Sequence, residues 1–401
     1  MFSVSSLPPL VAPADHLTGD EVARYSRHLI IPGLGVDGQK RLKNARVLVI
    51  GAGGLGAPTL LYLAAAGVGT IGIVEFDVVE ESNLHRQIIH GVADVGRPKA
   101  VSARESMAAI NPLVDVRLHE VRLDSTNAVE LFGSYDVIVD GTDNFATRYL
   151  INDAAVLAKR PYVWGSIYQF EGQISVCWED APDGRGLNYR DLYPEPPPPG
   201  TVPSCAEGGV LGIVCASIAS VMSTEVIKLI TGIGESLLGR LMIYDALQMT
   251  YRTIAIRRDP SDASRPKITE LVDYERLCGV VSEPSADDAA ATVDNSAITP
   301  RELRELLDSG KELALIDVRE PVEFDIVHID GAQLIPQSSI NSGEGLAQLP
   351  AGRTPVLYCK TGVRSAQVLA VLKKAGFADA VHLEGGIVAW AQQMQPDMVL
   401  Y

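Results

Sequence analysis

A chain of 401 residues, 47% of them hydrophobic, has material for two or three separately packed domains, and five scattered cysteines do not make a disulfide framework. The formal net charge of −16, with no basic stripe to offset it, excludes a nucleic-acid surface and favours solubility. No charged region followed by a long apolar core marks the N-terminus, so a cytoplasmic protein without membrane attachment is expected.

Residues 1–17 are proline-rich and aperiodic and read as a flexible leader. The first domain, residues 18–258, opens with TGDEVARYSRHL, a helix with Thr18 as N-cap and acids in its first turn. Arg24, Arg27 and His28 lie on it, where charge is ordinarily a solvated face. RVLVIGAGGLG then gives a buried strand and a turn made of Gly51, Gly53, Gly54 and Gly56, and Pro58 to Ala66 continues as a helix. Glycines at such a turn let backbone N–H groups approach a phosphate, and the helix N-terminus adds partial positive charge. Glu75 ends the second apolar strand nineteen residues after Gly56, where a carboxylate can take ribose hydroxyls.

That stretch binds a nucleotide, and a nicotinamide-dependent oxidoreductase is the first rival reading. Residues 82–87, SNLHRQ, place Asn83, Arg86 and Gln87 beyond the acid, and Lys99 follows on the next helix. A dinucleotide pyrophosphate is held largely by backbone amides, whereas a triphosphate being cleaved needs side-chain cations. PKAVSARESMAAINP reads as a helix, VDVRLHEV as a strand, NAVELFG as a short helix and YDVIVDGTDN as another buried strand. The alternation predicts a Rossmann-like α/β fold with a doubly wound parallel sheet. Asp143 and Asn144 then sit at a strand's carboxyl end beside the glycine loop; Asn144 can also cap the next helix, and Asp140 either assists or is structural.

GAGGLG, SNLHRQ, GRPKA and DGTDN, in this order and spacing, resemble the nucleotide site of the ubiquitin-activating-type adenylyltransferases, the MoeB and ThiF family. The resemblance implies ATP held by Gly51, Gly53, Gly54, Gly56, Glu75, Ser82, Asn83, Leu84, His85, Arg86, Gln87, Lys99, Asp143 and Asn144, with Mg²⁺ positioned at Asp143. It further implies a homodimer in which Arg27, matching the arginine of an RYxRQ-type segment, reaches the nucleotide phosphates of the partner subunit. Glu75 stands where many relatives have Asp.

GQISVCWED is a strand in which Cys177 alternates with apolar neighbours, as a core residue does. The proline-rich loop of residues 186–212 carries Cys205 just before a helix start, where the dipole favours a thiolate. A lone loop cysteine is ordinarily incidental; its match to the family's PSCxxGG segment implies engagement of an activated carrier. Val210 to Ile230 is strongly apolar but carries Ser217, Ser220, Ser223, Glu225 and Lys228, which suits a core helix containing Cys215. Many relatives hold zinc with two CxxC pairs, yet here Asn188, Asp191, Asp262 and Arg265 occupy those places, so no structural zinc is expected and hydrogen bonds or an Asp–Arg contact should replace it. GRLMIYDALQM and TYRTIAIRRD read as two strands joined by a turn. Residues 259–297 read as a linker, with ITELVDYERLCG a short docked element and Cys278 without assigned function.

Residues 298–401 form a smaller α/β domain. Thr299 and Pro300 start a helix, and the buried strand PVLY delivers Cys359 to a loop closed by Arg364, with a helix from Ser365. Loop amides and the helix N-terminus aimed at the sulfur would activate it. CKTGVR puts four residues between cysteine and arginine, one fewer than the phosphate cradle of tyrosine-type phosphatases, so the ring suits a sulfane sulfur. With DVREPVEF, HIDGA and LEGGIVAW it resembles a rhodanese domain, which implies a persulfide on Cys359 cradled by Lys360 to Arg364, and fold-stabilising roles for Asp317, Arg319 and His328.

Together the two halves resemble fused MoeB-type adenylyltransferase and sulfurtransferases. This implies ATP-dependent adenylation of a ubiquitin-like sulfur carrier ending in Gly-Gly, then thiocarboxylate formation from the Cys359 persulfide, with molybdopterin synthesis as the usual context. The donor would be thiosulfate or a cysteine desulfurase. The alternative is activation to an adenylate or a Cys205 thioester without sulfuration.

Overall fold

The computed structural model describes residues 7–182, 184–197, 208–258, 265, 267–278, 296–350 and 352–400. The chain divides into two compact units, Met1–Ser282 and Glu283–Tyr401.

In the first unit β1 (Arg46–Ile50), β2 (Thr70–Val74), β3 (Asp115–His119), β4 (Val137–Asp140) and β5 (Tyr162–Tyr168) are parallel, whereas β6 (Glu171–Cys177), β7 (Arg240–Asp245) and β8 (Thr250–Ala255) add antiparallel. The order is β3-β2-β1-β4-β5-β6-β7-β8. Strand β1 buries four of its five residues and β4 buries all four, as strands covered on both faces do. The order reverses between β1 and β4, so the glycine loop and DGTDN leave the sheet side by side. Strand β5, an apolar run that the sequence reading passed over, carries the sheet from its parallel to its antiparallel half.

The helices of this unit are α1 (Gly19–Arg24), α2 (Ser26–Leu29), α3 (Gly35–Asn44), α4 (Gly56–Ala66), α5 (Lys99–Ile110), α6 (Ala128–Gly133), α7 (Phe145–Leu157), α8 (Gly212–Thr231) and α9 (Tyr274–Leu277). Thr18 and Glu21 form a capping box, but the helix expected through His28 breaks at Tyr25, whose buried hydroxyl accepts from Asn111 Nδ2 at 2.8 Å. Helix α8 is apolar and long enough to cross a membrane, yet it buries Val214, Ile218, Met222 and Val226 in the core. Its Ser217, Ser220 and Ser223 return their hydroxyls to carbonyls four residues back, which is how a core helix tolerates them.

One expectation changes. From Leu7 on, the proline-rich leader is pinned to the unit: Leu7 and Val11 are buried, Leu10 N–H donates to Leu229 O at 3.0 Å, and Arg41 Nη1 donates to Val11 O at 2.6 Å. An extended proline-rich strand leaves carbonyls for a neighbour to use, so aperiodicity did not mean freedom. Within the anticipated linker the expected docked element is present, because Tyr274 is buried and donates to Asp153 Oδ2 at 2.7 Å.

Around the positions where CxxC pairs are replaced, Arg265 binds Asp191 (Nε to Oδ1, 2.6 Å) and Glu179 (Nη2 to Oε2, 2.7 Å), and Asn188 Nδ2 donates to Glu179 at 2.8 Å. The expected Asp–Arg contact is therefore present; Asp262 lies outside the described residues. Burial pushes the Glu179 pKa up, but hydrogen bonds from Arg265 and Asn188 and the charges of Arg265 and Arg258 outweigh it and hold it below the usual range. Stability from this group is full above the ordinary carboxylate pKa and is lost as pH falls through the lowered one. Arg265→Ala strands two carboxylates and should cost about 2–4 kcal/mol, read from urea unfolding of the first unit.

The second unit is a parallel sheet ordered β11-β10-β12-β13-β9, made of β9 (Ala297–Ile298), β10 (Leu313–Asp317), β11 (Gln333–Leu334), β12 (Thr354–Tyr358) and β13 (Val381–Leu383). Its helices are α10 (Pro300–Asp308), α11 (Pro321–Ile326), α12 (Gln337–Asn341), α13 (Val363–Lys374) and α14 (Gly386–Met394).

Candidate functional site

At the carboxyl ends of β1, β2 and β4 lies a cavity of about 380 Å³. Gly51 has φ +88°, and Gly56 packs so closely that a Cβ there would lie 1.9 Å from Gly51 O. Gly56→Ala should therefore displace the loop and lower nucleotide affinity at least about tenfold, measurable by calorimetric titration.

Glu75 lines this cavity and is 7% exposed. Its Oε1 accepts from the amides of Phe76 (2.8 Å) and Asp77 (2.9 Å), and Oε2 from Ala52 (2.9 Å). The extra methylene relative to Asp is absorbed by this fold-back, which fixes the glycine loop while Oε2, with one donor, keeps a lone pair for a hydroxyl. At the other backbone group of Ala52, His90 Nε2 lies 3.3 Å from Ala52 O and Nδ1 lies 2.8 Å from Ser102 Oγ. Burial lowers the His90 pKa, so the neutral ring donates to Ala52 O and accepts from Ser102.

Gly51, Gly53, Gly54, Glu75, Arg86, Gln87, Lys99, Asp143 and Asn144 all line the cavity, as expected of a nucleotide site. Lys99, at the start of α5, places Nζ 3.3 Å from Asp77 Oδ2. Gln87 has a buried amide oxygen without a partner, an acceptor in need of a donor. Asn144 caps α7 by accepting from Thr147 N–H at 2.9 Å and still lines the wall. Asp140 is not in the cavity wall: its Oδ1 accepts from Thr142 N–H (3.0 Å) and Oγ1 (2.7 Å), its Oδ2 is buried without a partner, and burial, opposed by Arg148, raises its pKa.

Ser82, Asn83, Leu84, His85 and Gly56 sit behind the wall, not in it. Residues 82–85 shape the turn that presents Arg86, whose Nη1 donates to Ser82 O at 2.9 Å, while Asn83 Oδ1 accepts from Glu80 N–H at 3.3 Å. Arg27 is exposed on α2 and does not line the cavity of its own chain. Cys205 lies outside the described residues. Asp77, His90 and Arg148 were missed from sequence; Arg148 is buried, donates from Nη2 to Thr142 O at 3.3 Å and lines the cavity.

In the second unit Cys359 directly follows β12 and is 1% exposed. Gly362, with φ +98°, turns its N–H onto Cys359 Sγ at 3.1 Å and starts α13. The N-terminus of α14 grips the same loop: Ile387 N–H donates to Cys359 O at 2.9 Å and Val388 N–H to Lys360 O at 3.2 Å. A Cβ on Gly386 would lie 2.4 Å from Cys359 O, which explains the double glycine of LEGGIVAW.

Arg364 departs from expectation, because α13 begins at Val363 and not at Ser365. Its guanidinium forms a bidentate pair with Glu323 of α11, at 2.7 and 2.8 Å, so it ties the loop to α11. Glu323, 5% exposed, was not read from sequence. Asp317 and Arg319 form a fully buried pair, with Nη2 to Oδ2 at 2.6 Å, and His328 stacks on Phe324 at 4.0 Å, so these signature residues hold the fold.

The sequence model of the ThiF family matches residues 25–265, and that of the rhodanese-like domain matches residues 299–393. The chain is 79% identical over 397 residues to a probable adenylyltransferase/sulfurtransferase MoeZ of Mycobacterium tuberculosis, covering 99% of this chain and 100% of the relative. It is 52% identical to a sulfur carrier protein adenylyltransferase of Thermus thermophilus, over 66% of this chain and 98% of that one. With an adenylyltransferase and sulfurtransferase MOCS3 of Sus scrofa it shares 39% identity, over 98% and 90% of the two chains. A solved structure of E. coli MccB, 20% identical with a TM-score of 0.54 over 66% of this chain and 76% of that one, shares the fold.

Proposed function

The chain belongs to the ThiF family and carries a rhodanese-like domain behind it, and from that premise we propose how its adenylyltransferase and sulfurtransferase activities are joined. The substrate is the C-terminal Gly-Gly carboxylate of a ubiquitin-like sulfur-carrier protein. One observation carries this reading: a glycine-loop cavity walled by Arg86 and Lys99, and a cysteine whose sulfur accepts a loop amide, occur on a single chain.

A carrier carboxylate oxygen attacks the α-phosphorus of ATP, and the bond to pyrophosphate breaks. Arg86, Lys99 and the glycine-loop amides take up the charge that develops on the leaving group. Mg²⁺ travelling with ATP would be held by Asp143, a carboxylate in the wall, and would neutralise phosphate charge. We assign Arg27 to the phosphates of the partner subunit in a homodimer, which accounts for its exposure away from its own cavity.

The terminal sulfur of a Cys359 persulfide then attacks the acyl carbon, and AMP leaves with the acyl C–O electrons. A thiolate, from Cys205 or an external thiol, attacks the Cys359 sulfur of the resulting acyl disulfide. The carrier departs as a thiocarboxylate, and the new disulfide on Cys359 requires a two-electron thiol reductant. Thiosulfate or a cysteine desulfurase reloads the persulfide, and the resemblance points to molybdopterin synthesis in the cytoplasm.

Intact mass of a Gly-Gly carrier incubated with the protein, ATP, Mg²⁺, a sulfur donor and a reductant tests the reading. A gain equal to exchanging one oxygen for sulfur supports it. Carrier that reaches only an adenylate or thioester with every donor tried would show activation without sulfuration.

A further inference from the structure

The far end of the nucleotide cavity is closed by two residues that lie outside the glycine-loop machinery. Arg122 follows β3, and Glu275 belongs to α9; they form an ion pair, and both line the cavity. Glu275 lies beyond residue 265, where the ThiF match ends, and before residue 299, where the rhodanese-like match begins.

Sheet order fixes what this end can hold. The glycine loop follows β1, Glu75 follows β2, and Arg122 follows β3, so the three stand in line across neighbouring strands. Two strand spacings of about 4.8 Å separate the phosphate end from the Arg122 end, roughly the reach from the phosphates past the ribose to the base. Between them the wall is apolar, made by Ile50, Val74 and Leu123, as a purine face requires. Glu275 is carried on a firm base: its neighbour Tyr274 is buried, donates to Asp153 Oδ2, and packs in the same core cluster as Leu123. The pair itself is partly open, with side-chain exposures of 69% for Arg122 and 33% for Glu275, so a ligand can rearrange it at little cost.

We propose that the Arg122–Glu275 pair is the base-recognition element of the cavity, an inference that rests on reading the cavity as an ATP site. The guanidinium, oriented by Glu275, stacks on the purine face, and the Glu275 carboxylate accepts from the exocyclic amino group of adenine. Guanine carries a carbonyl oxygen at that position and would set acceptor against acceptor. The segment bearing α9 is thereby an ATP-responsive part of the first unit.

Calorimetric titration of the full chain with ATP and with GTP, for wild type, Glu275→Ala, Glu275→Gln and Arg122→Ala, tests this. Glu275→Ala should weaken ATP about tenfold and lower the ATP-to-GTP preference by a similar factor, with Glu275→Gln between it and wild type. In wild type, hydrogen exchange at the Leu277 and Cys278 amides, which bond to Asp273 O and Tyr274 O, should slow when ATP is added. Unchanged ATP affinity and preference in all three variants, or exchange in α9 that ignores ATP while the glycine loop responds, overturns the proposal. Wild type that binds neither nucleotide overturns the ATP reading itself, and this inference with it.

Discussion

Cys359→Ala is expected to abolish thiocarboxylate formation, by at least about 10³-fold, while carrier-dependent exchange of pyrophosphate into ATP continues at the wild-type rate. The asymmetry follows from where the groups sit. Cys359 is 1% exposed and its Sγ accepts from Gly362 N–H at 3.1 Å, with α13 starting behind that amide, so the loop is built around this sulfur and no other described side chain replaces it. The described residues that wall the adenylation cavity, from Ile50 to Glu275, all belong to the first unit. Intact mass of the carrier and radiolabelled pyrophosphate exchange, run on the same preparation, read the two halves separately. Loss of both activities in a folded Cys359→Ala protein would mean that the steps are not separable in this way. Gly362→Ala should act in the same direction but less severely, because its φ of +98° is strained for any other residue while the thiol remains.

Much of this arrangement is legible in the sequence because the signals are local. A glycine loop between an apolar strand and a helix, or a cysteine at the end of a buried strand, declares itself within ten or so residues, and alternation of strand and helix fixed the parallel half of the sheet. The Asp191–Arg265 contact was legible for a different reason, since polar residues in place of thiolates must find other partners. What sequence could not show are residues recruited across the fold. Asp77 matters because Lys99 reaches it, His90 because Ala52 O lies against it, and Glu323 because α13 begins early enough to bring Arg364 onto it. The leader shows the same limit: Leu10 and Val11 carry no periodic signal, yet α8 offers the backbone partner that holds them.

Lys99→Ala should lower carrier adenylation by about 10²–10³-fold, as expected when one cation is removed from a charge-developing site. Lys99 is 7% exposed and held at the cavity wall by Asp77, so its ammonium is already placed and partly desolvated before ATP arrives. Arg27→Ala should give a comparable loss although Arg27 lies outside the cavity of its own chain. The two defects then become a test of geometry. If Arg27 serves the partner subunit, a mixed dimer of Lys99→Ala and Arg27→Ala chains has one site with both cations intact and one with neither. Random mixing makes half the dimers mixed, so co-refolding the two inactive proteins should restore adenylation to about a quarter of wild type. An Arg27 acting within its own chain leaves every site in the mixture damaged, and activity would stay at the level of the single variants. A mixture that recovers nothing, with exchange of subunits verified by mass, would therefore remove Arg27 from the partner's site and place its effect within its own subunit.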